Sequence, residues 1–421
     1  MILSRRAVLF LGFCFFTFIL LTARALRQPH EWDKVPQAVG LGEYVTTSHG
    51  SSGASTNWSM AYNISTGHMK QQQPFVPGPN FIAGIPKPLG AQYTKRLVVP
   101  RTTEEDVSWI EQELPDWQTA IYVANDPSAP LHPPKNKGHE VMIYLSYVID
   151  FYDELTDISV FIHAHQNAWH NDFLFAGDTA ETVRRLNLNR VIREGYMNLR
   201  CGLGPGCPDW MHPGAIEPDE SKQEEVMLAR AWSEIFPDEP VPSVLAQPCC
   251  AQFALSKERI RTIPRSRYIF YRDWLLQTTL SDYIAGRIWE YLWQYVFAGE
   301  PVLCPDESVC LCDGYGFCFG GLAGFEAFKA AQAERDELAQ EVDNWVWMSE
   351  DLEETKDLDG KLDETMDLNI PPPGGKSENE NSYAAKTREV EAMLENAIAR
   401  GDNPRLRAEE VGRPWKEGDG Y

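Results

Sequence analysis

Between residues 96 and 165 strand-like and helix-like segments alternate, and this pattern constrains the fold more than any other feature of the chain. "RLVVP" (96–100) is an apolar run of strand length, "EDVSWIEQEL" (105–114) has helical spacing, and "WQTAIYVAND" (117–126) reads as a strand that stops at turn formers. "GHEVMIYLSYVIDFYDEL" (138–155) sets Val141, Leu145, Val148, Ile149 and Tyr152 on one helical face, and "ISVFIHAH" (158–165) is the next strand. The β-α-β-α-β order predicts an α/β fold, a single domain with a largely parallel sheet flanked by helices. Ligands of such sheets lie beyond the carboxyl ends of the strands.

At one such end stands "FIHAHQNAWHND" (161–172), which holds His163, His165 and His170, three of the nine histidines. Alternation along a strand predicts that His163 and His165 share a face. With Trp169, His170 and Asp172 they form the candidate site. Three readings compete: metal ligation through His163 and His165, substrate hydrogen bonding without a metal, and a polar loop with one satisfied buried histidine. Lys135 and Lys137 precede the helix that opens near Gly138, where free N–H groups suit a phosphate; the plain alternative is a solvated loop. Arg259, Arg261, Arg265 and Arg267, in "CCAQFALSKERIRTIPRSRYIFYRDWL" (249–275), are candidates for a diphosphate or carboxylate, against an ordinary surface role. "LSDYIAGRIWEYLWQYVF" (280–297) reads as one apolar helix carrying Arg287 and Glu290, either a buried base or an i,i+3 ion pair.

The flanks place the domain in a larger plan. An uncharged run of seventeen residues, 7–23, follows Arg5 and Arg6. It reads as a membrane-spanning signal-anchor with the remainder lumenal, and a cleaved signal peptide competes with it. Either way the folded part enters the secretory pathway, as a single-pass type II membrane protein of the Golgi or endoplasmic reticulum, or secreted after cleavage. Asn57 and Asn63 head glycosylation sequons. Residues 1–27 are thus the anchor, 28–93 a Ser/Gly/Pro-rich stem, 94–319 the domain and 320–421 an acidic, partly helical tail. Trp345 and Trp347 in that tail read as a docking spot or as packing on the main domain. The net charge of −23 excludes a generic nucleic-acid binder, and residues 334–368 supply about half of it. Cys201, Cys207, Cys249, Cys250, Cys304, Cys310, Cys312 and Cys318 are even in number and predict disulfides rather than zinc. Cys201 and Cys207 are expected to close the Gly-Pro loop "CGLGPGC", and the last four to staple one another.

The blocks "LPDWQTAIYVANDPSAPLHPPKNKGHEVMIYLSYVIDFYDELTDISVFIHAHQNAWHND", "NLRCGLGPGCPDW", "EIFPDEPVPSVLAQPCCAQFALSKERIRTIPRSRY" and "DWLLQTTLSDYIAGRIWEYLWQYVF" closely resemble a mainly fungal family catalogued as domain of unknown function 3431, over about 96–318. The order of blocks is also similar to glycosyltransferases of the GT-A architecture. In that resemblance "VFIHAH" stands where a metal-binding Asp-x-Asp is expected, and "CCAQFALSKERI" and "GRIWEYLW" look like later acceptor-side blocks. It implies a donor site at His163, His165, His170 and Asp172, Arg259 and Arg287 near phosphate, and Glu290 as base. It also implies nucleotide-sugar and glycan partners, and a divalent metal such as Mn²⁺, which histidines in place of carboxylates put in question. Two other classes stand beside it: a non-catalytic lumenal module using exposed tryptophans such as Trp169 and Trp210, and a metal-dependent hydrolase built on the histidines.

Overall fold

The computed structural model describes residues 82–354 and 375–421. The apolar run 7–23, both sequons and most of the stem lie outside the described residues. Within them, no helix is long and apolar enough to cross a membrane.

Five strands form one sheet: β1 (Lys95–Arg101), β2 (Gln118–Val123), β3 (Ile158–Phe161), β4 (Tyr196–Asn198) and β5 (Phe253–Ser256), in the order β2-β1-β3-β5-β4. β1 pairs in parallel with β2 and β3, whereas β5 is antiparallel to both β3 and β4. The sheet is therefore mixed rather than largely parallel. After β4 the chain makes a long excursion over 199–252 and returns at the end of the sheet where β3 exits, so β5 has to run back between its neighbours.

Pleating divides each strand between two layers. Val98, Tyr122, Phe161, Phe253 and Leu255 face one core with α2 (Glu140–Asp150), α5 (Glu225–Ile235), α7 (Arg265–Gln277), α8 (Asp282–Glu290) and α9 (Trp293–Ala298). That core is aromatic: Trp293 lies 5.2 Å from Phe253 and stacks on Phe297 at 5.9 Å. The apolar segment 280–297 is two helices, α8 and α9, separated at Tyr291 and Leu292.

Leu97, Val99, Ile158, Val160 and Ala254 face the second core. It is built with α1 (Ser108–Glu113), α3 (Thr179–Arg185), α4 (Leu188–Glu194) and α10 (Glu307–Tyr315). The charged C-terminal segment joins this layer. α11 (Leu322–Glu354) and α12 (Gly375–Gly401) pack on each other, and Phe325, Phe328 and Val390 are buried in the second core. The Cys318 N–H donates to the Ala397 carbonyl, and Arg407 of α13 (Pro404–Glu410) donates to the Cys312 carbonyl. Trp345 is half-buried with Lys376 over its ring, and Trp347 is exposed.

All eight cysteines of the domain are paired, and of the expected pairings Cys312–Cys318, within the last four, is formed while the others are not. Cys201 joins Cys310 and Cys207 joins Cys304, so the Gly-Pro loop does not close on itself. Cys312–Cys318 is local, and Cys249–Cys250 links adjacent residues. Once the exit of β4 lies beside α10, Cys201 is near Cys310, across a sequence separation of 109.

Candidate functional site at the carboxyl edge

The exits of β1, β3 and β4 and the start of β5 meet at one edge, since Phe161 is in register with Phe253 and Asn198 pairs with the same residue. β3 stops at Phe161, so His163 and His165 stand beyond the strand and the period of two no longer orients them. They diverge. The His163 N–H donates to Gln252 Oε1 at 3.2 Å, and His163 Nε2 donates to the Cys250 carbonyl at 2.8 Å. A carbonyl only accepts, so Nε2 carries a proton. His165 is exposed and lies 3.8 Å from Glu105, beyond β1.

The loop returns His170 to His163, with ring centroids 4.8 Å apart. Burial, with help from His163 and Arg200, pushes the His170 imidazole down to about 4, so it is neutral at physiological pH. Its Nδ1 is buried and, among the described residues, has no hydrogen-bond partner. Beside it Trp169 is 66% exposed, with the Arg200 guanidinium 5.7 Å from its ring. Arg200 donates to the carbonyls of Trp169 and Gly204 at 2.9 and 2.8 Å. An open depression of about 530 Å³ lies here, lined by Asn167, Trp169, Phe173, Arg200 and Gly202 among others.

Asp172 does something other than expected. It is 2% exposed and accepts from the N–H groups of Cys201 and Gly202 at 3.1 and 2.9 Å. Burial pushes its carboxyl up. It clasps the histidine loop to the exit of β4 through Oδ2 and also lines the depression. Asn171 completes the clasp, donating to Gly177 and Thr179 and accepting from Gln252.

Against His163 lies a strained corner. Cys250 and Ala251 have φ of 90° and 49°, left-handed values that cost a non-glycine residue on the order of 1–3 kcal/mol each. The Cys250 N–H donates at 2.6 Å to Glu290, from the end of α8. Burial raises the Glu290 carboxyl to about 7. Cys250 thus bridges His163 and Glu290 through its two backbone groups.

A family model described as protein of unknown function, DUF3431, matches residues 97–313. The chain belongs to this family. No curated protein matches it, and neither does any solved structure. The DUF3431 segment contains every residue of the edge just described and stops short of α11, α12 and α13.

Four basic residues of the DUF3431 domain singled out from the sequence lie away from this corner or are otherwise engaged. Lys135 is exposed on its loop, whereas the Lys137 ammonium donates to the Thr278 carbonyl. The start of α2 already holds an anion, because the Gly138 N–H donates to the Asp282 carboxylate. Arg259 follows β5, which runs antiparallel, so it lies past the amino ends of β1 and β3. Arg287 donates to Glu224 at 2.7 Å and to the Ser221 carbonyl, so the ion pair is made with a distant carboxylate and not with Glu290. Glu224 is 0% exposed, and its charge holds the guanidinium protonated against burial. Arg200, Asn171 and Gln252 were not singled out from the sequence. Arg200 sits in "NLRCGLGPGC" with only the neighbouring cysteines as a signal.

Among the described residues, the groups that bring three ligand atoms within reach of one another are Cys249, Cys250 and Glu290, and Cys312, Cys318 and Glu410. The histidines are in neither group.

Proposed function

We propose that this chain is a lumenal glycosyltransferase-like enzyme, moving a sugar from a nucleotide sugar to a glycan or glycoprotein acceptor at the carboxyl edge of the sheet. The observation that carries the reading is the convergence of His163, His170, Arg200 and Glu290 on one corner from separate chain segments. A strained Cys250–Ala251 backbone lies at its centre. The sheet order, with an antiparallel strand set between β3 and β4, and the position of "VFIHAH" support the GT-A comparison drawn from the sequence. The anchor-like run 7–23 and the four disulfides support a lumenal setting.

In this reading Arg200 supplies positive charge near the donor diphosphate, and His163 and the neutral His170 hydrogen-bond the donor. Trp169 offers a face to a sugar ring. The acceptor hydroxyl oxygen bonds to the anomeric carbon as the bond from that carbon to phosphate oxygen breaks. The nucleoside diphosphate leaves, and the hydroxyl proton passes to Glu290. The histidines do not fit the three-ligand demand of an Mn²⁺ bridge, since they join no group of three ligand atoms among the described residues. The same fact removes support from a histidine-based hydrolase. A non-catalytic glycan-binding module is the second reading, and the exposure of Trp169 above the depression favours it.

Calorimetric titration with UDP- and GDP-sugars, with and without Mn²⁺, tests the assignment. At least one donor is expected to bind without metal, and the His163→Ala/His170→Ala variant to lose at least about ten-fold in affinity. Absence of binding across the panel under both conditions overturns the transferase reading. Glycan binding in that case identifies the module.

A further inference from the structure

Cys249 and Cys250 are adjacent, buried and joined to each other, and Glu290 stands over them. The two sulfurs and a Glu290 oxygen all lie within 4.8 Å of one another. Three facts separate this group from the other cysteine–carboxylate group. There, Glu410 is already bound to Arg400 and to the Gly320 N–H, so its charge is spent. Cys312–Cys318 also closes a turn of the chain, whereas a bond between neighbours closes no loop and adds almost nothing to the constraint on the unfolded chain. Finally, Cys250 is held at positive φ, and its carbonyl accepts from His163. A bond that adds little stability, at a strained corner beside a candidate site, has a different use.

We infer that the Cys249–Cys250 disulfide is a reducible gate over a soft-metal site, in which two thiolates and the Glu290 carboxylate bind a divalent cation of the zinc class once the bond is open. A small dithiol or a protein dithiol is the reductant. Two of its thiols become a disulfide, two electrons and two protons pass to Cys249 and Cys250, and the sulfur–sulfur bond breaks. Metal binding then displaces the two thiol protons to solvent, giving two metal–sulfur bonds and one metal–oxygen bond. Thiolate and carboxylate ligands at this number suit zinc with a fourth position open. The oxidised corner keeps Glu290 for the transfer chemistry proposed above. The reduced, loaded corner withdraws it, so the two roles belong to different states. The experiment reads metal uptake and not transfer, which keeps failure of one distinct from failure of the other.

The test uses the whole chain. It is treated with graded dithiothreitol, the opened cysteines are mapped by differential alkylation and mass spectrometry, the dithiol is removed without air, and Co²⁺ is added as an optical probe for zinc. The expected result is one Co²⁺ per chain, with a thiolate-to-cobalt charge-transfer band, at the dose that opens Cys249–Cys250 while far-ultraviolet circular dichroism is unchanged. The band should be absent from Cys249→Ser/Cys250→Ser, which keeps the other three disulfides and reports any signal arising from them. Glu290→Gln should keep the band but bind at least about ten-fold more weakly, the least that loss of a supporting group costs a metal site. An equal band in the double-serine variant overturns the inference. So does absence of Co²⁺ uptake by a folded chain whose 249–250 bond is open, or a bond that opens only when the chain unfolds.

Discussion

At the amino edge of the sheet Asp157 accepts from the Thr94 N–H, the Thr94 hydroxyl and the Lys87 ammonium, each at 2.8 Å, with Lys257 at 3.5 Å. Burial opposes its ionisation, but the bonds from Lys87 and Thr94 hold the carboxyl well below its usual range. At the carboxyl edge His170 has a buried nitrogen without a partner, and Glu290 titrates near 7. The same sheet therefore ties down the Asp157 carboxylate at one end and, among the described residues, leaves His170 Nδ1 unpartnered at the other. Unsatisfied groups cost stability, so the second end has to be held by something else. Two covalent ties do that: Cys201–Cys310, beside the Asp172 clasp, and Cys207–Cys304 beyond it.

The largest effect should come from cutting such a tie. Cys201→Ser/Cys310→Ser removes a bridge across a sequence separation of 109 and is expected to cost about 4 kcal/mol in urea denaturation. A cost under about 1 kcal/mol would mean that the carboxyl edge supports itself. Next comes Asp157→Ala, which leaves the Thr94 N–H without its acceptor and Lys87 with the Gln92 carbonyl, for a loss of about 2 kcal/mol. Its pH signature has a fixed sign. A depressed folded value gives stability that is present above the unfolded carboxyl value and lost as pH falls toward the folded one. The variant should therefore lose less stability than the native chain on acidification below the ordinary aspartate range, measured by melts across that range.

Much of this architecture was legible in the chain. The segments 96–100, 117–126 and the start of 158–165 are strands, because apolar runs bounded by turn formers have little else to become. The direction of β5 was not legible, since it depends on where a long excursion returns. The disulfide partners were hidden for the same reason: Cys201 lies near Cys207 in sequence but meets Cys310 in space. "FIHAHQNAWHND" lies at the carboxyl end of β3, as its apolar lead-in implies. What spacing could not show is that β3 stops two residues before His163, which sends the two histidines apart, or that Asp172 turns inward to bind backbone. Arginine roles failed most, because a guanidinium reaches whichever carboxylate the fold brings near: Glu224 for Arg287 lies 63 residues away.

The smaller effects separate the two edges more finely. His170 is held neutral in the fold, at about 4 against an ordinary value of 6.5. A depressed value again means stability present above 6.5 and lost as pH falls toward 4. The full shift corresponds to roughly 3 kcal/mol, and partial solvent contact reduces it to about 2 kcal/mol. His163→Ala/His170→Ala should flatten the stability profile between those values and change stability at pH 8 by about 1 kcal/mol or less. A steep profile retained in the variant would assign the acid sensitivity to other groups and return His170 to an ordinary loop role.

Trp169→Ala should have the smallest effect on the fold, and for that reason it is the sharpest probe of the carboxyl edge. An indole 66% exposed contributes little burial, and its ring partners are the His170 ring at 4.5 Å and the Arg200 guanidinium at 5.7 Å, the latter in a cation–π contact worth about 0.5–1 kcal/mol at an exposed position. Arg200 keeps its bonds to the carbonyls of residues 169 and 204, which depend on backbone and survive the substitution. Stability should therefore stay within about 0.5 kcal/mol of the native chain. Affinity for a sugar ligand should fall several-fold if the indole face stacks on a ring, and Trp169→Phe should restore part of it because the apolar face is kept. Equal affinity in all three chains would place the sugar elsewhere on the edge, whereas a loss of stability well above 1 kcal/mol would show that the loop depends on this side chain for its own shape.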